Sequence, residues 1–329
     1  MGKPRLVLHA GLHKTGTTAL QKAFASNRGR LRKNDIVYPD LPPFGRDPVE
    51  AHHKFAHAIA RPRGFDTAAF QDRLAKVPET RTVLLSAEAI CRHHDGEPRH
   101  PNRGGGYWTA AGDPDTYWTG RRAYLERLRY ALSRFEIEPV IYLRRQDRVA
   151  QSLYFSFVDS LGYVDDFETF LEERIHWFDF DRQVSLFREV FGQATTFDYD
   201  SHVKTGLANT FLAEVFGVNG LDISAPRARV TTDPRTVLWI RERNREAGTG
   251  INDWRKTVQG FTQWMNQKSP FAGSPASGYW PSQAARDAFL ARYGITANDP
   301  VAPPAVLSPE DRSRITALFD EWQSAKSPH

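Results

Sequence analysis

The chain has 329 residues, 40% of them hydrophobic, enough to bury a sizeable core, and carries 44 Lys and Arg against 39 Asp and Glu for a formal net charge of +5. A lone cysteine, Cys91, excludes an intrachain disulfide framework and a thiolate metal site, and no stretch approaches the roughly 20 apolar residues of a membrane span. A soluble, cytoplasmic protein without stable membrane insertion is therefore expected, and because acids interrupt the basic residues throughout, the positive charge suits an anionic small ligand better than nucleic acid.

In chain order, RLVLHA (5–10) has the short, apolar, β-branched character of a buried strand. It leads through GLHKTGTT (11–18) into an amphipathic helical pattern over 18–34. A second helix is expected over 67–77, a strand over 81–87, a helix over 121–135, a strand over 138–144, a helix over 148–161 and a strand over 194–200. From about residue 206 to 329 only helical patterns follow, clearest over 208–217, 235–246, 283–294 and 308–323. Apolar strands separated by helices imply an α/β fold: a P-loop-like parallel sheet flanked by helices, with a helical C-terminal region, in a single domain over 1–329. Two segments are irregular and long. Residues 91–120 contain Gly104, Gly105 and Gly106 with Trp108 and Trp118, and residues 262–283 set Trp264, Tyr279 and Trp280 among Gly, Pro and Ser. Segments of this kind form lids or substrate-binding loops; their aromatics serve either as an exposed platform near an acceptor or as pins to the protein body.

The turn at 11–18 stands where a strand passes into a helix, a place that aims backbone N–H groups and the positive end of a helix dipole at one point and so binds phosphate. Gly11 and Gly16 give the Gly-x-x-x-x-Gly frame of a nucleoside-triphosphate loop, but Thr17 stands where such enzymes need lysine, and Lys14 lies inside the loop instead. No aspartate is expected to end a later strand as a magnesium partner. Phosphate binding is kept and the ATPase signature is lost, which leaves a P-loop kinase or NTPase-like phosphate-binding protein as the alternative reading. A non-catalytic nucleic-acid binder is a third.

HKTGTTALQ (13–21) resembles the 5'-phosphosulfate-binding loop of the sulfotransferases that use 3'-phosphoadenosine-5'-phosphosulfate (PAPS). That family's second element, an arginine ending a later strand and a serine eight positions on, is matched by Arg144 and Ser152 in VIYLRRQDRVAQSLYFSF (140–157). Gln146 takes the place of the family's usual proline, as in bacterial members. The resemblance covers about 5–30 and 138–160, and more loosely extends to about 216. It implies sulfuryl transfer from PAPS, leaving adenosine 3',5'-bisphosphate, to a hydroxyl or amine of an acceptor, with no metal. By the same resemblance Lys14 would sit by the bridging oxygen and His13 would help position the donor. Thr15, Gly16, Thr17 and Thr18 would hold the 5'-phosphate, and Arg144 with Ser152 the 3'-phosphate. Relatives that sulfate carbohydrates use a glutamate base after a strand between the two motifs, and Glu88 in TVLLSAEAI (82–90) lies at such a place. Relatives acting on small molecules use histidine, which leaves His53, or its neighbours His52 and His57, as the alternative. The aromatic and Arg-rich segments suit a carbohydrate or glycan acceptor, a small molecule being the other class.

Overall fold

The computed structural model describes residues 3–12, 14–40, 51–60, 67–74, 76, 80–92, 113–223, 232–248, 251–268, 271 and 277–326. The elements up to the middle of the chain are β1 (Arg5–His9), α1 (Thr17–Ser26), α2 (Arg28–Arg32), β2 (Ile36–Val37), α3 (His53–Ile59), α4 (Thr67–Leu74), β3 (Thr82–Ser86), a 3-10 turn (Glu88–Cys91), α5 (Pro114–Ala131) and β4 (Glu136–Leu143). They continue with α6 (Gln146–Leu161), α7 (Phe167–Arg174), a 3-10 turn (Ile175–Phe178), α8 (Phe180–Phe191), β5 (Thr195–Asp198), α9 (Tyr199–Thr205) and α10 (Leu207–Phe216). The last four are α11 (Pro234–Ala247), α12 (Ile251–Lys268), α13 (Gln283–Ala291) and α14 (Pro309–Lys326).

The chain falls into two compact units. The first comprises Met1–Pro98, Ala111–Arg144 and Asp179–Ala228 and holds the five-stranded parallel sheet, in the order β2-β3-β1-β4-β5. Leu6, Val7 and Leu8 of the central strand are all fully buried, as a strand covered on both faces requires. Val7, Leu84, Val140 and Tyr142 share one face with Leu20 and Phe24 of α1 and Phe211 and Leu212 of α10. Helix α8 packs on β4 and against α5. The strand order turns at β1: from β1 the chain runs outward to β2, and from β4 it runs outward the other way to β5. In an open parallel sheet this opens the ligand crevice beyond the carboxyl ends of the two strands at the switch, and here those are β1 and β4.

The second unit comprises Arg99–Ala110, Arg145–Phe178 and Arg229–His329, and its described elements are all helical. Helix α6 is its hub and touches α7, α11, α12 and α13. At the start of α6, Arg145 makes hydrogen bonds of 2.7 and 2.9 Å to Asp147 and of 2.5 and 2.8 Å to Asp299. The buried Arg286 lies 3.7 Å from both carboxylates. No helix among the described residues is long and apolar enough to cross a membrane.

The expected strands are all present, with no end displaced by more than two residues. Other elements differ from expectation for local reasons. The helix expected over 18–34 breaks at Asn27, whose side chain returns to the Ala23 carbonyl at 2.8 Å and closes α1. Helix α5 starts seven residues before the expected 121, because Asp113 accepts from the Thr116 N–H at 3.0 Å and Pro114 occupies the first helical position. Trp118 is thus a buried helix residue, and 93–112, the greater part of the long segment 91–120, lies outside the described residues. Within 262–283, Trp264 sits on α12, and Trp280 is 2% exposed, packed edge-on to Phe167 with ring centroids 5.0 Å apart. Trp280 is a pin rather than an exposed platform.

Candidate active site

The loop after β1 is shaped by its backbone. The Thr15 hydroxyl, fully buried, donates to the Leu12 carbonyl at 2.6 Å and closes a turn. Lys14 and Gly16 both take left-handed conformations, at φ 66° and 69°. For a lysine that conformation costs on the order of 1 kcal/mol, a strain that proteins retain mainly at functional sites. At Gly16 the conformation favours glycine, and so does space: a Cβ there would lie 2.6 Å from Leu207 Cδ2 and 2.7 Å from Tyr199 Cε2. A Cβ on Gly11 would meet Thr17 Oγ1 at 2.3 Å. Helix α1 opens directly from this turn, the Gly16 carbonyl accepting from Ala19 at 2.9 Å and Leu20 at 3.1 Å. The N–H groups of Thr17 and Thr18 therefore have no helical acceptor. No side chain caps α1 and no acid stands in its first turn, so the positive end of its dipole is unopposed from within the helix. Lys14 is half-buried, Thr18 exposed, and Thr17 Oγ1 buried with no hydrogen-bond partner. His13 lies outside the described residues.

Arg144 follows the last residue of β4. Parallel pairing sets Ala10 N–H on the Val140 carbonyl at 3.0 Å, so the β4 end runs alongside the loop. Arg144 Nη1 donates to the Lys14 carbonyl at 3.4 Å, its Nε lies 3.3 Å from Asp200 Oδ1, and its guanidinium stands 5.3 Å over the Tyr199 ring. The buried Nε–H makes no hydrogen bond. Among the described residues, then, most of the five guanidinium donors are uncommitted. Tyr199 and Asp200 begin α9, whose N-cap is Asp198, accepting from Ser201 N–H at 3.0 Å. The helix is fastened to β4 by His202: its Nδ1 lies 3.0 Å from the Tyr142 hydroxyl and its Nε2 3.5 Å from Glu214. Burial pushes the Tyr142 hydroxyl well above the usual phenol range.

On the other side of β1, the 3-10 turn after β3 starts with Glu88, half-buried. The Cys91 thiol donates to the Ala10 carbonyl at 2.9 Å and ties this turn to the loop. Burial pushes that thiol up to about 12, which makes it unreactive. The Glu88 carboxylate acts electrostatically on His9 and Cys91. Helix α3 packs on the turn. His52, the residue before α3, accepts the Ser86 N–H on Nδ1 and donates from Nε2 to the Pro39 carbonyl, each at 2.9 Å. With both nitrogens engaged, and burial holding its pKa near 4, His52 is a neutral clamp and not a proton acceptor. His53 and His57 are half-buried one turn apart, their rings 6.4 Å from each other. His9, fully buried, has Nδ1 2.8 Å from Ser86 Oγ, to which Gln21 also donates at 3.2 Å. Desolvation lowers its pKa to about 4.

Lys14, Thr15, Gly16, Thr17, Thr18, Glu88 and Arg144 thus stand at the carboxyl ends of three neighbouring strands of the first unit. Ser152 is half-buried on the second turn of α6, in the second unit. Tyr199 and Asp200 escaped the sequence reading, which placed both inside the strand expected over 194–200; the strand ends at Asp198. Strand β5 does end on an aspartate, Asp198, contrary to the expectation that none would; its carboxylate is spent on capping α9.

No protein-family model matches the chain, and no curated protein does. Among solved structures it is similar to a sulfotransferase from Alicyclobacillus acidocaldarius at 16% identity, over 78% of this chain and 100% of that one, with a TM-score of 0.38. It is also similar to a retinol dehydratase in complex with androsterone and the inactive cofactor PAP, at 14% identity, over 99% of this chain and 81% of that one, with a TM-score of 0.29. Likenesses at this level carry neither fold nor function.

Proposed function

We propose that the loop at 11–18 and Arg144 bind PAPS, and that the protein transfers its sulfuryl group to a hydroxyl or amine of an acceptor, a carbohydrate or glycan in preference to another small molecule. The observation that carries this reading is one arrangement. A lysine held at positive φ in a glycine turn opens an uncapped helix, and beside it stands an arginine with most of its donors uncommitted. The loop N–H groups and those of Thr17 and Thr18 suit a 5'-phosphate. Arg144 suits a second phosphate, with Ser152 added to it on the resemblance of 140–157. Lys14 neutralises the charge that grows on the leaving phosphate oxygen, and Glu88, or else His53, takes the acceptor's proton. The chemistry requires no metal.

The kinase or NTPase reading has less support. Thr17 replaces the lysine that such a loop needs, and Asp198, the aspartate that ends β5, caps a helix. Calorimetric titration separates the two readings: adenosine 3',5'-bisphosphate should bind at least about tenfold more tightly than ATP. Equal affinities, or a preference for ATP that grows with magnesium, would overturn the proposal. Sulfate transfer from labelled PAPS to a panel of sugars, phenols and amines then identifies the acceptor class.

A further inference from the structure

We infer that Asp200 is a built-in competitor for the anion that Arg144 binds: its carboxylate holds the guanidinium when no nucleotide is bound and must give way when a 3'-phosphate enters. The inference rests on the proposed role of Arg144 and adds a residue that sets the affinity and selectivity of that site.

The geometry of the pair carries it. Asp200 Oδ1 stands 3.3 Å from Arg144 Nε, yet that N–H makes no hydrogen bond, so the contact is ionic attraction without a directed bond. The one hydrogen bond that Arg144 donates among the described residues, to the Lys14 carbonyl, is long at 3.4 Å. Both side chains are about a quarter exposed, 25% for Arg144 and 26% for Asp200, so water and an entering anion reach them. An ion pair without a directed hydrogen bond holds the guanidinium less firmly than a bidentate one would. Phosphate, by contrast, is gripped by arginine through two parallel charge-assisted bonds. The Tyr199 ring lies 5.3 Å from the guanidinium carbon, and Tyr199 is itself backed by Gly16.

A phosphate arriving at Arg144 meets the negative charge of Asp200 within a few ångströms, and like charges so close oppose each other. The helix need not move to relieve this. Asp198 caps α9, and His202 fastens it to Tyr142, so a change of the Asp200 side chain alone suffices. A nucleotide bearing only a 5'-phosphate has no group to compete with Asp200. The carboxylate returning to Arg144 would also help to expel the spent bisphosphate. A simpler role exists: as an acid in the first turn of α9, Asp200 complements the helix dipole.

The test titrates adenosine 3',5'-bisphosphate and adenosine 5'-phosphate into the full-length wild type, Asp200→Asn and Asp200→Glu, with thermal melts in parallel. Asp200→Asn should bind the bisphosphate roughly tenfold more tightly, about 1.4 kcal/mol, while its affinity for adenosine 5'-phosphate stays within about twofold of wild type. Asp200→Glu, which restores the charge, should return the bisphosphate to wild-type affinity. If Asp200→Asn melts lower and binds the bisphosphate no better, Asp200 serves the helix dipole and the inference is overturned, while a wild-type preference for the bisphosphate keeps the site reading intact. If the wild type binds both nucleotides alike, the site reading fails and the inference with it. Asp200→Ser, which keeps a hydrogen-bond acceptor in the first turn of α9, gives the same readout should the Asn variant not fold.

Discussion

The end of β4 and the start of α6 each carry an arginine beside an aspartate, and the two arginines, Arg144 and Arg145, are consecutive. Their physical situations are opposite. Arg145 spends its donors in four hydrogen bonds of 2.5 to 2.9 Å on two carboxylates, one of which, Asp147, is 2% exposed. Arg144 has one long hydrogen bond and one ionic contact without a directed bond. A cation whose donors are spent on protein carboxylates is a brace; one whose donors remain uncommitted is built for a ligand. His52 is a brace of the same kind as Arg145, with both ring nitrogens given to the backbone.

The largest effect should come from Glu88. Glu88→Gln keeps size and hydrogen bonding but cannot take a proton, so turnover should fall by about 10²- to 10⁴-fold with bisphosphate affinity and melting temperature near wild type. The acidic limb of the pH–rate profile should disappear from the residual activity. A fully active Glu88→Gln alongside an inactive, folded His53→Ala would move the base to α3. Next comes Lys14→Ala, expected to lower turnover by about 10²-fold or more, well beyond its effect on bisphosphate affinity, because the lysine's contact strengthens as charge develops. Equal losses in both would make Lys14 a binding residue only.

Arg145→Ala sharpens the comparison from the other side. It strips Asp147 of its nearest cation in a buried site and should cost about 2–4 kcal/mol in urea unfolding, with nucleotide affinity of the folded protein unchanged. Weakened nucleotide binding at full stability would exchange the roles of the two arginines. The smallest effect is on acid stability. The folded state keeps His9 and His52 neutral down to about pH 4, whereas the unfolded chain protonates them near pH 6.5. Since the unfolded state binds more protons between those values, stability should fall as the pH drops through that window, by about 2 kcal/mol at pH 5.5. Urea midpoints that do not change between pH 7 and pH 5.5 would refute it.

How much the sequence disclosed follows the range of the interactions involved. The loop at 11–18 was legible because its chemistry is local: glycines, a lysine and hydroxyls at a strand-to-helix junction. The strands were legible because β1, β3 and β4 carry unbroken apolar runs. Strand β2, two residues long, is too short to leave a pattern, and helix α8, headed by the Asp179 cap, lies in a stretch where no element was expected. Asp200 was hidden for a different reason. It meets Arg144 because β4 and β5 pair with Leu143 opposite Asp198, which brings the residues after each strand together. That register joins positions more than fifty residues apart, and no local pattern encodes it. His52 looked like its neighbours in EAHHKFAHAI until the Ser86 N–H and the Pro39 carbonyl were seen to occupy its ring.

Titrating adenosine 3',5'-bisphosphate and adenosine 5'-phosphate into wild type and Arg144→Ala tests the central claim most directly, because the two ligands differ only in the group that Arg144 is proposed to hold. The account predicts that Arg144→Ala weakens the bisphosphate by about 10- to 100-fold, the worth of charge-assisted hydrogen bonds to a phosphate, and leaves adenosine 5'-phosphate within about twofold of wild type. Equal weakening of both nucleotides, or a wild type indifferent to the 3'-phosphate, would contradict it.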